Sequence, residues 1–360
     1  MAGRPVVGLN ALFLDPGRSG GPETYLRGLV PALAQAAPHL DLVVATTRRG
    51  AAALREEDWG VRIAALPAVD GERLRRLLAE QLLLPVRARR EGWDLVHSLA
   101  SFAPLRVPGV RTVVTLHDVT FLEHRTFSPL TTVAMRLTSV GPARRADGLI
   151  TATAAAGEQI ARATGLEPVV IPHGGGRPPG PAEPVPGLPP GRLVLAVGAK
   201  RPHKNQAVLV RALRELPGEW SLVLAGHAEP YEHQLRTLAA ELGVGERVRF
   251  LDGVTDAQLE GLYAAADVVA LPTLAEGFGL PLLEALQRGK PVAASDIPVL
   301  HEVGGELPAW FDPHDPADAA RAILAARADP EAARAQAARF SWERCAQATA
   351  AVYDRVLACA

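Results

Sequence analysis

The sequence predicts two doubly wound α/β units in one chain, each a parallel sheet with helices on both faces. Short apolar runs alternate with amphipathic stretches almost throughout, and such a βαβα rhythm makes parallel sheets. The rhythm breaks once, at residues 174–191 (GGGRPPGPAEPVPGLPPG), and then restarts. The length, 360 residues, suits two domains of about 100–200 residues each.

In the first half, strands are expected at 5–10, 42–46, 94–97, 112–116 and 149–152, with helices at 22–36 and 72–90. Gly and Pro density at 176–191 cannot continue a helix or a central strand and reads as a stiff linker. In the second half, strands are expected at 193–197, 221–225, 248–251, 268–271 and 291–294. Helices are expected at 207–216, 231–242, 256–265 and 281–288. Two such units present a cleft between their strand C-terminal ends, where open α/β sheets bind ligands.

Bulk properties narrow the function. A net charge of −1 gives no global field for nucleic acid. Cys345 and Cys359 are the two cysteines, so a disulfide framework is not expected and a reducing cytoplasm fits best. The N-terminal stretch lacks the h-region of a signal peptide, and no run reaches the length of a membrane span. Segment 72–90 places arginines around a leucine-rich centre. It reads either as a domain helix packing its leucines on the sheet, the favoured option, or as an interfacial helix touching anionic lipid.

The strongest chemical signal is EGFGLPLLE, residues 276–284, after the apolar run VVALP. Gly277 and Gly279 let the backbone approach a ligand, and Pro281 suits a first helical turn. Together they make a glycine loop opening a helix N-terminus, which binds phosphate oxygens. Glu276 on the loop can reach sugar hydroxyls, and Glu284, one turn inside the helix, can take ribose hydroxyls. Alone, the stretch also fits a turn with ordinary surface glutamates.

Three weaker signals accompany it. Gly20 and Gly21 precede Pro22, a second phosphate-facing helix start, although not a GxGxxG fingerprint. Lys200, Arg201, His203 and Lys204 follow a strand, where cations suit a diphosphate or simply a solvated loop. His117 and Asp118 end an apolar strand, so that His117 can donate to a sugar hydroxyl or hold the departing phosphate region, with a structural His–Asp pair as the plain alternative. His97 in DLVHS is a similar, weaker acceptor-side candidate, as is Asp118. HExxH, paired CxxC, acidic DxD-like, Walker A and GxSxG patterns are all missing, so neither a metal nor a cofactor is expected.

These stretches resemble glycosyltransferase family 4, which adopts the GT-B fold. The likeness runs through VGAKRPHKN, LVLAG, the segment VRFLDGV to AASD, and IPVLHEVGG. In the first half it runs through SGGPETY, DLVHS, LHDVTF and ITATAAAGEQI, and FSWERCAQATAAVYDRVL looks like the family's closing helix. The resemblance implies a first domain of residues 1–175 completed by 340–360, a 176–191 linker, and a donor-binding domain of residues 192–339. It also implies a retaining transferase that uses a nucleotide diphosphate sugar as co-substrate, without a metal.

Position by position, it makes Glu276 the residue contacting the donor sugar. Phe278, Gly279 and Leu280 form the loop whose amides meet sugar and diphosphate. Glu284 binds ribose, Lys204 binds phosphate, Gly21 approaches the diphosphate, and His117 is the active-site histidine. Ala199, following Gly198, stands where many members carry arginine, and Arg201 is the candidate substitute. The donor implied is GDP-mannose-like or a UDP-hexose, with LHDVTF leaning to the mannosyl branch. The acceptor implied is a glycan, lipid-linked or small-molecule hydroxyl. A sugar phosphorylase, an epimerase or a silent nucleotide-sugar binder is the alternative.

Overall fold

The computed structural model describes residues 3–67, 73–119, 122 and 129–359. The chain divides into two compact units, residues 1–174 with 340–360, and residues 175–339.

The first unit holds a seven-stranded sheet in the order β3-β2-β1-β4-β5-β6-β7. Its strands are β1 (Val6–Asn10), β2 (Asp41–Thr46), β3 (Arg62–Ala65), β4 (Leu95–Ser98), β5 (Arg111–Thr115), β6 (Gly148–Thr151) and β7 (Val169–Val170), each pairing parallel. The register sets Asn10 against Ser98 and Ser98 against Val114. One face packs on the Gly21–Ala36 and Trp342–Ala358 helices through Leu9, Tyr25, Leu29, Val113 and Tyr353. The C-terminal helix lies so close that a Cβ on Gly28 would stand 2.0 Å from the Trp342 ring.

The second unit holds a six-stranded sheet, β10-β9-β8-β11-β12-β13. These are β8 (Arg192–Val197), β9 (Trp220–Ala225), β10 (Val248–Leu251), β11 (Val268–Leu271), β12 (Val292–Ser295) and β13 (Ala309–Phe311), again parallel throughout. Val194, Leu209, Trp220, Leu222 and Phe311 form its core. Both units are doubly wound parallel-sheet folds, as the rhythm implies. Strands β3, β7 and β13 escaped the sequence reading, because Arg62–Ala65 carries little apolar contrast and the other two are only two and three residues long.

Residues 176–191 carry no helix or strand, yet they are laid down on the second unit. The Glu183 amide donates to Ala257 O at 2.9 Å, and a Cβ on Gly261 would meet Glu183 O.

The leucine-rich segment is not one helix. It runs as α-helix Arg73–Leu78, a π-helical stretch Ala79–Leu83 and α-helix Leu84–Arg90. Pro85 supplies the cause, since it has no N–H for a carbonyl one turn back and its ring pushes that carbonyl away. Ala79, Leu84 and Ala88 pack inward, but Leu78, Leu82, Leu83 and Val86 remain exposed. The expected leucine packing on the sheet is therefore only partly realised. Glu72 lies outside the described residues.

Candidate active site

In the second unit, Gly198 directly follows β8 and Gly226 directly follows β9, both at positive φ (149° and 148°). A Cβ on Gly226 would lie 2.2 Å from Gly198 O, so glycine lets the two strand ends touch. Nothing stands within 4 Å of the Cβ position of Gly198, which leaves its backbone open to a ligand.

The short turn Pro202–Lys204 follows. His203 O accepts from the Leu274 amide at 2.8 Å and from the Thr273 hydroxyl at 3.2 Å. Asn205, at φ 52°, donates to Pro272 O and Pro313 O. These bonds bring Lys204 onto the 272–279 loop, where its Nζ donates to Glu276 Oε2 at 2.6 Å.

The neighbouring cations do other work. Lys200 is fully buried, and its ammonium donates to Gly226 O and to Leu251 O, with Glu232 3.5 Å away. It ties three strand ends together, and burial pulls its pKa down. Arg201 forks onto Glu229 Oε1, at 3.0 and 2.6 Å, on the surface. The proposed fourfold cationic cluster is thus broken up: Lys204 faces the glutamate loop while Lys200 and Arg201 are committed elsewhere.

Gly279 caps the Leu280–Gln287 helix in the left-handed region, φ 96°, ψ 47°. A side chain there would strike Leu300 at 2.6 Å and would lie 3.9 Å from Glu276 Cγ. Glycine is required, and it stands close to the Lys204 partner. The amides of Gly279 and Leu280 donate to no group among the described residues. They are a pair of open donors at the positive helix end, where an anion can be taken up. Phe278, which precedes them, is buried.

Glu284 is only 5% exposed, with Oε2 accepting from Tyr263 at 2.7 Å and Oε1 from the Arg177 amide at 3.1 Å. Each oxygen retains a second lone pair, so further hydroxyls can still be accepted.

In the first unit, Gly20 (φ 60°) precedes the Gly21–Ala36 helix, with Pro22 in its first turn. Nothing lies within 4 Å of a Cβ on Gly20, and the Gly20 and Gly21 amides are unengaged among the described residues. Glu23 folds back to accept from the Gly17 amide, which shapes the loop.

His117 follows β5. Its Nε2 lies 2.8 Å from Leu99 O, and a carbonyl only accepts, so Nε2 carries the hydrogen. The nitrogen left for a ligand is Nδ1, an acceptor in the neutral ring. The expected donation from His117 to a sugar hydroxyl is thereby reversed: the hydroxyl would donate. Desolvation lowers the pKa of His117, which keeps the ring neutral, against a smaller opposing effect of the Leu99 carbonyl and Asp118. Asp118 is half-buried beside it. Tyr25 meets the ring edge-on at 5.3 Å, and His173 packs on it at the same distance.

His97 has a different fate. It is buried, with Nδ1 bonded to Tyr353 Oη at 2.6 Å and Nε2 to Thr115 Oγ1 at 2.8 Å. Burial drives its pKa down to about 3. With both nitrogens held in the core, it offers nothing to an acceptor.

Sequence reasoning missed Glu80. This carboxyl sits on the π-helical stretch, is 8% exposed, and accepts from Asn10 Nδ2 at 2.6 Å. The same amide reaches Ser98 Oγ at 3.2 Å. Burial lifts the Glu80 pKa to about 7, with Asn10 and Arg76 opposing. A polar Asn ending the apolar run VVGLN was the available signal.

Among the described residues, no group of three or more His, Cys, Asp or Glu is placed to hold a metal ion. No helix among them is long and apolar enough to cross a membrane.

Comparison with known proteins gives this geometry a family. Residues 186–340 match the model for glycosyl transferases group 1, and residues 19–174 match glycosyltransferase family 4. A D-inositol 3-phosphate glycosyltransferase of Xylanimonas cellulosilytica is 31% identical, covering 94% of this chain and 92% of its own. The O-antigen chain mannosyltransferase B of Escherichia coli is 37% identical over 44% of this chain and 45% of its own. Among solved structures, sucrose-phosphate synthase from Thermosynechococcus elongatus superposes with a TM-score of 0.77 at 22% identity, over 99% of this chain and 100% of that one. Anabaena HepE in complex with UDP and glucose gives 0.75 at 22% identity, over 98% and 100%. The chain belongs to glycosyltransferase family 4 of the group 1 glycosyltransferases, and it is a transferase enzyme of the GT-B fold.

Proposed function

We propose that the protein moves a hexose from a nucleoside diphosphate sugar to a hydroxyl acceptor, with retention at the anomeric carbon and without a metal ion. The observation that carries this is the Lys204–Glu276 pair set beside the open amides of Gly279 and Leu280. A fixed cation and a helix end provide positive charge where a departing diphosphate gains negative charge, the task a metal performs elsewhere. In this reading the diphosphate takes up Lys204, which frees Glu276 to orient the sugar hydroxyls. Glu284 accepts from the ribose. In the first unit, Gly20 and Gly21 offer amides to phosphate, and neutral His117 accepts from a sugar hydroxyl through Nδ1.

The bond from the anomeric carbon to the diphosphate breaks, and the acceptor oxygen bonds on the same face. The acceptor proton passes to the departing phosphate oxygen. Two relatives lend the donor its candidates: the E. coli mannosyltransferase points to mannose as the sugar, and HepE was solved with UDP-glucose. The acceptor is a glycan, lipid-linked or small-molecule hydroxyl, met in the cytoplasm. The exposed Leu78, Leu82, Leu83 and Val86, with Arg89 and Arg90, provide peripheral contact with an anionic membrane.

The test is transfer from GDP-mannose and UDP-glucose in EDTA, with the product anomer read by NMR. Retention is expected, and His117→Ala and Glu276→Ala should each lose at least about tenfold in turnover, the worth of one or two hydrogen bonds. An inverted product, or near-wild-type turnover in both variants, would overturn the assignment.

A further inference from the structure

In the second unit, separate stretches of the chain converge on the Glu284 carboxyl. Tyr263, on the Asp256–Ala265 helix, donates its hydroxyl to Oε2 at 2.7 Å. The Arg177 amide, from the Pro- and Gly-rich stretch, donates to Oε1 at 3.1 Å. Gly176 makes that approach possible, since a Cβ there would stand 2.0 Å from Glu284 Cγ and 2.8 Å from Oε1. Tyr263 is fully buried, and the Arg288 guanidinium lies over its ring at 4.6 Å. Burial first, and the neighbouring Glu284 next, hold the Tyr263 pKa well above the usual phenol value, so its hydroxyl remains a donor.

Arg288 stands four residues after Glu284, the spacing at which two side chains on a helix can pair. They do not pair. The guanidinium goes instead to Glu260 at 2.9 Å, to the main-chain O of Glu284 at 2.9 Å and to Arg177 O at 3.3 Å. Arg177 is thus gripped at both its main-chain groups, the carbonyl by Arg288 and the amide by Glu284. Among the described residues, the two Glu284 side-chain oxygens accept from neutral donors alone, one to each. Such donors fix the plane of the carboxyl without neutralising its charge, and each oxygen keeps a further lone pair. Two acceptors held side by side match the neighbouring hydroxyls of a vicinal diol. A plain staple between helix and linker needs no such sparing of the charge.

We infer that Tyr263 and the Gly176–Arg177 peptide are positioning residues that aim Glu284 at a vicinal diol, the 2′- and 3′-hydroxyls of the donor's ribose. This rests on the reading of Glu284 as the ribose acceptor. Each positioning group acts through the carboxyl. The gain is preorganisation, since a carboxyl already fixed in place need not be ordered by the nucleotide as it binds.

The experiment is calorimetric titration of UDP and GDP, each beside its 2′,3′-dideoxy counterpart, against wild type, Tyr263→Phe, Gly176→Ala and Glu284→Ala. On wild type, the nucleotide that binds should do so at least about tenfold more tightly than its dideoxy form, as expected for hydroxyls donating to a charged acceptor. Tyr263→Phe keeps the ring against Arg288 and removes only the hydroxyl, and Gly176→Ala sets a methyl group against Glu284 Cγ. In both, the ratio should fall to about threefold or less, while the dideoxy form keeps its wild-type affinity within about twofold. A loss shared equally by the ribo and dideoxy forms would be structural damage and would contradict the inference. So would a full wild-type ratio in both variants when Glu284→Ala has lost it, an outcome that leaves the ribose reading standing. A ratio that survives Glu284→Ala, or no binding of either nucleotide to wild type, would bring down the ribose reading itself and the inference with it.

Discussion

His97 and His117 show what decides a histidine's work. His97 lies on β4 and His117 just past the end of the neighbouring β5, twenty residues apart in sequence, and both follow apolar runs. His97 points into the core, where Tyr353 and Thr115 take both ring nitrogens. His117 stands past the strand end, spends Nε2 on Leu99 O, and keeps Nδ1. Strand-end position was readable from the sequence; the side on which each ring lands depended on strand parity and on a Tyr 256 residues away.

Glu80 gives a stability prediction at this scale. Its folded pKa, about 7, lies above the ordinary value of 4.5. A raised carboxyl pKa gives stability that is full below the ordinary value and lost as pH rises through the folded one. The buried charge then costs about 3 kcal/mol at pH 8, at 1.36 kcal/mol per unit. Glu80→Gln keeps an acceptor for Asn10 and carries no charge. The variant should melt higher than wild type at pH 8 and no higher at pH 4. An equal or lower melting temperature at pH 8 would show that Glu80 is not destabilised by its surroundings.

At the scale of elements, the 276–284 loop was the most legible part. EGFGLPLLE announces its turn through Gly279 and its helix start through Pro281, and the structure adds that Leu300 leaves no room for a side chain at 279. The basic run after β8 was legible only as charge. Nothing in VGAKRPHKN says that Lys200 turns inward to three strand ends, because its acceptors come from residues 226 and 251. The 72–90 segment was read as one helix, since leucine periodicity survives a single widened turn.

Two elements support predictions. Gly28→Ala would push a methyl group into the Trp342 ring. It should destabilise the protein by about 1–3 kcal/mol, the usual cost of overpacking, with the loss reversed by Trp342→Leu in a melting series. A neutral Gly28→Ala would mean that the closing helix does not pack as described. The exposed leucines and arginines of 78–90 should sediment the protein with anionic vesicles at low salt and release it at about 0.5 M, where screening shortens below 10 Å. Salt-independent binding, or none to anionic vesicles, would rule out an electrostatic interfacial helix.

For the whole molecule, two parallel sheets were legible because the apolar rhythm repeats and stops only once, at 174–191. That stretch was read as a tether, yet it is bonded to the Asp256–Ala265 helix, a long-range outcome no Pro or Gly count reveals. Membership of the group 1 glycosyltransferases fixes the class of reaction, and the proposal adds that the diphosphate is received at Lys204, Glu276 and Gly279 without a metal. The most direct test is calorimetric titration of UDP, GDP, dTDP and ADP in EDTA, against wild type and Lys204→Ala. One nucleotide should bind wild type without divalent metal, and Lys204→Ala should weaken it by about tenfold or more, the worth of a charge-assisted contact. Binding that appears only with added metal, or that is indifferent to Lys204, would contradict this account of the donor site.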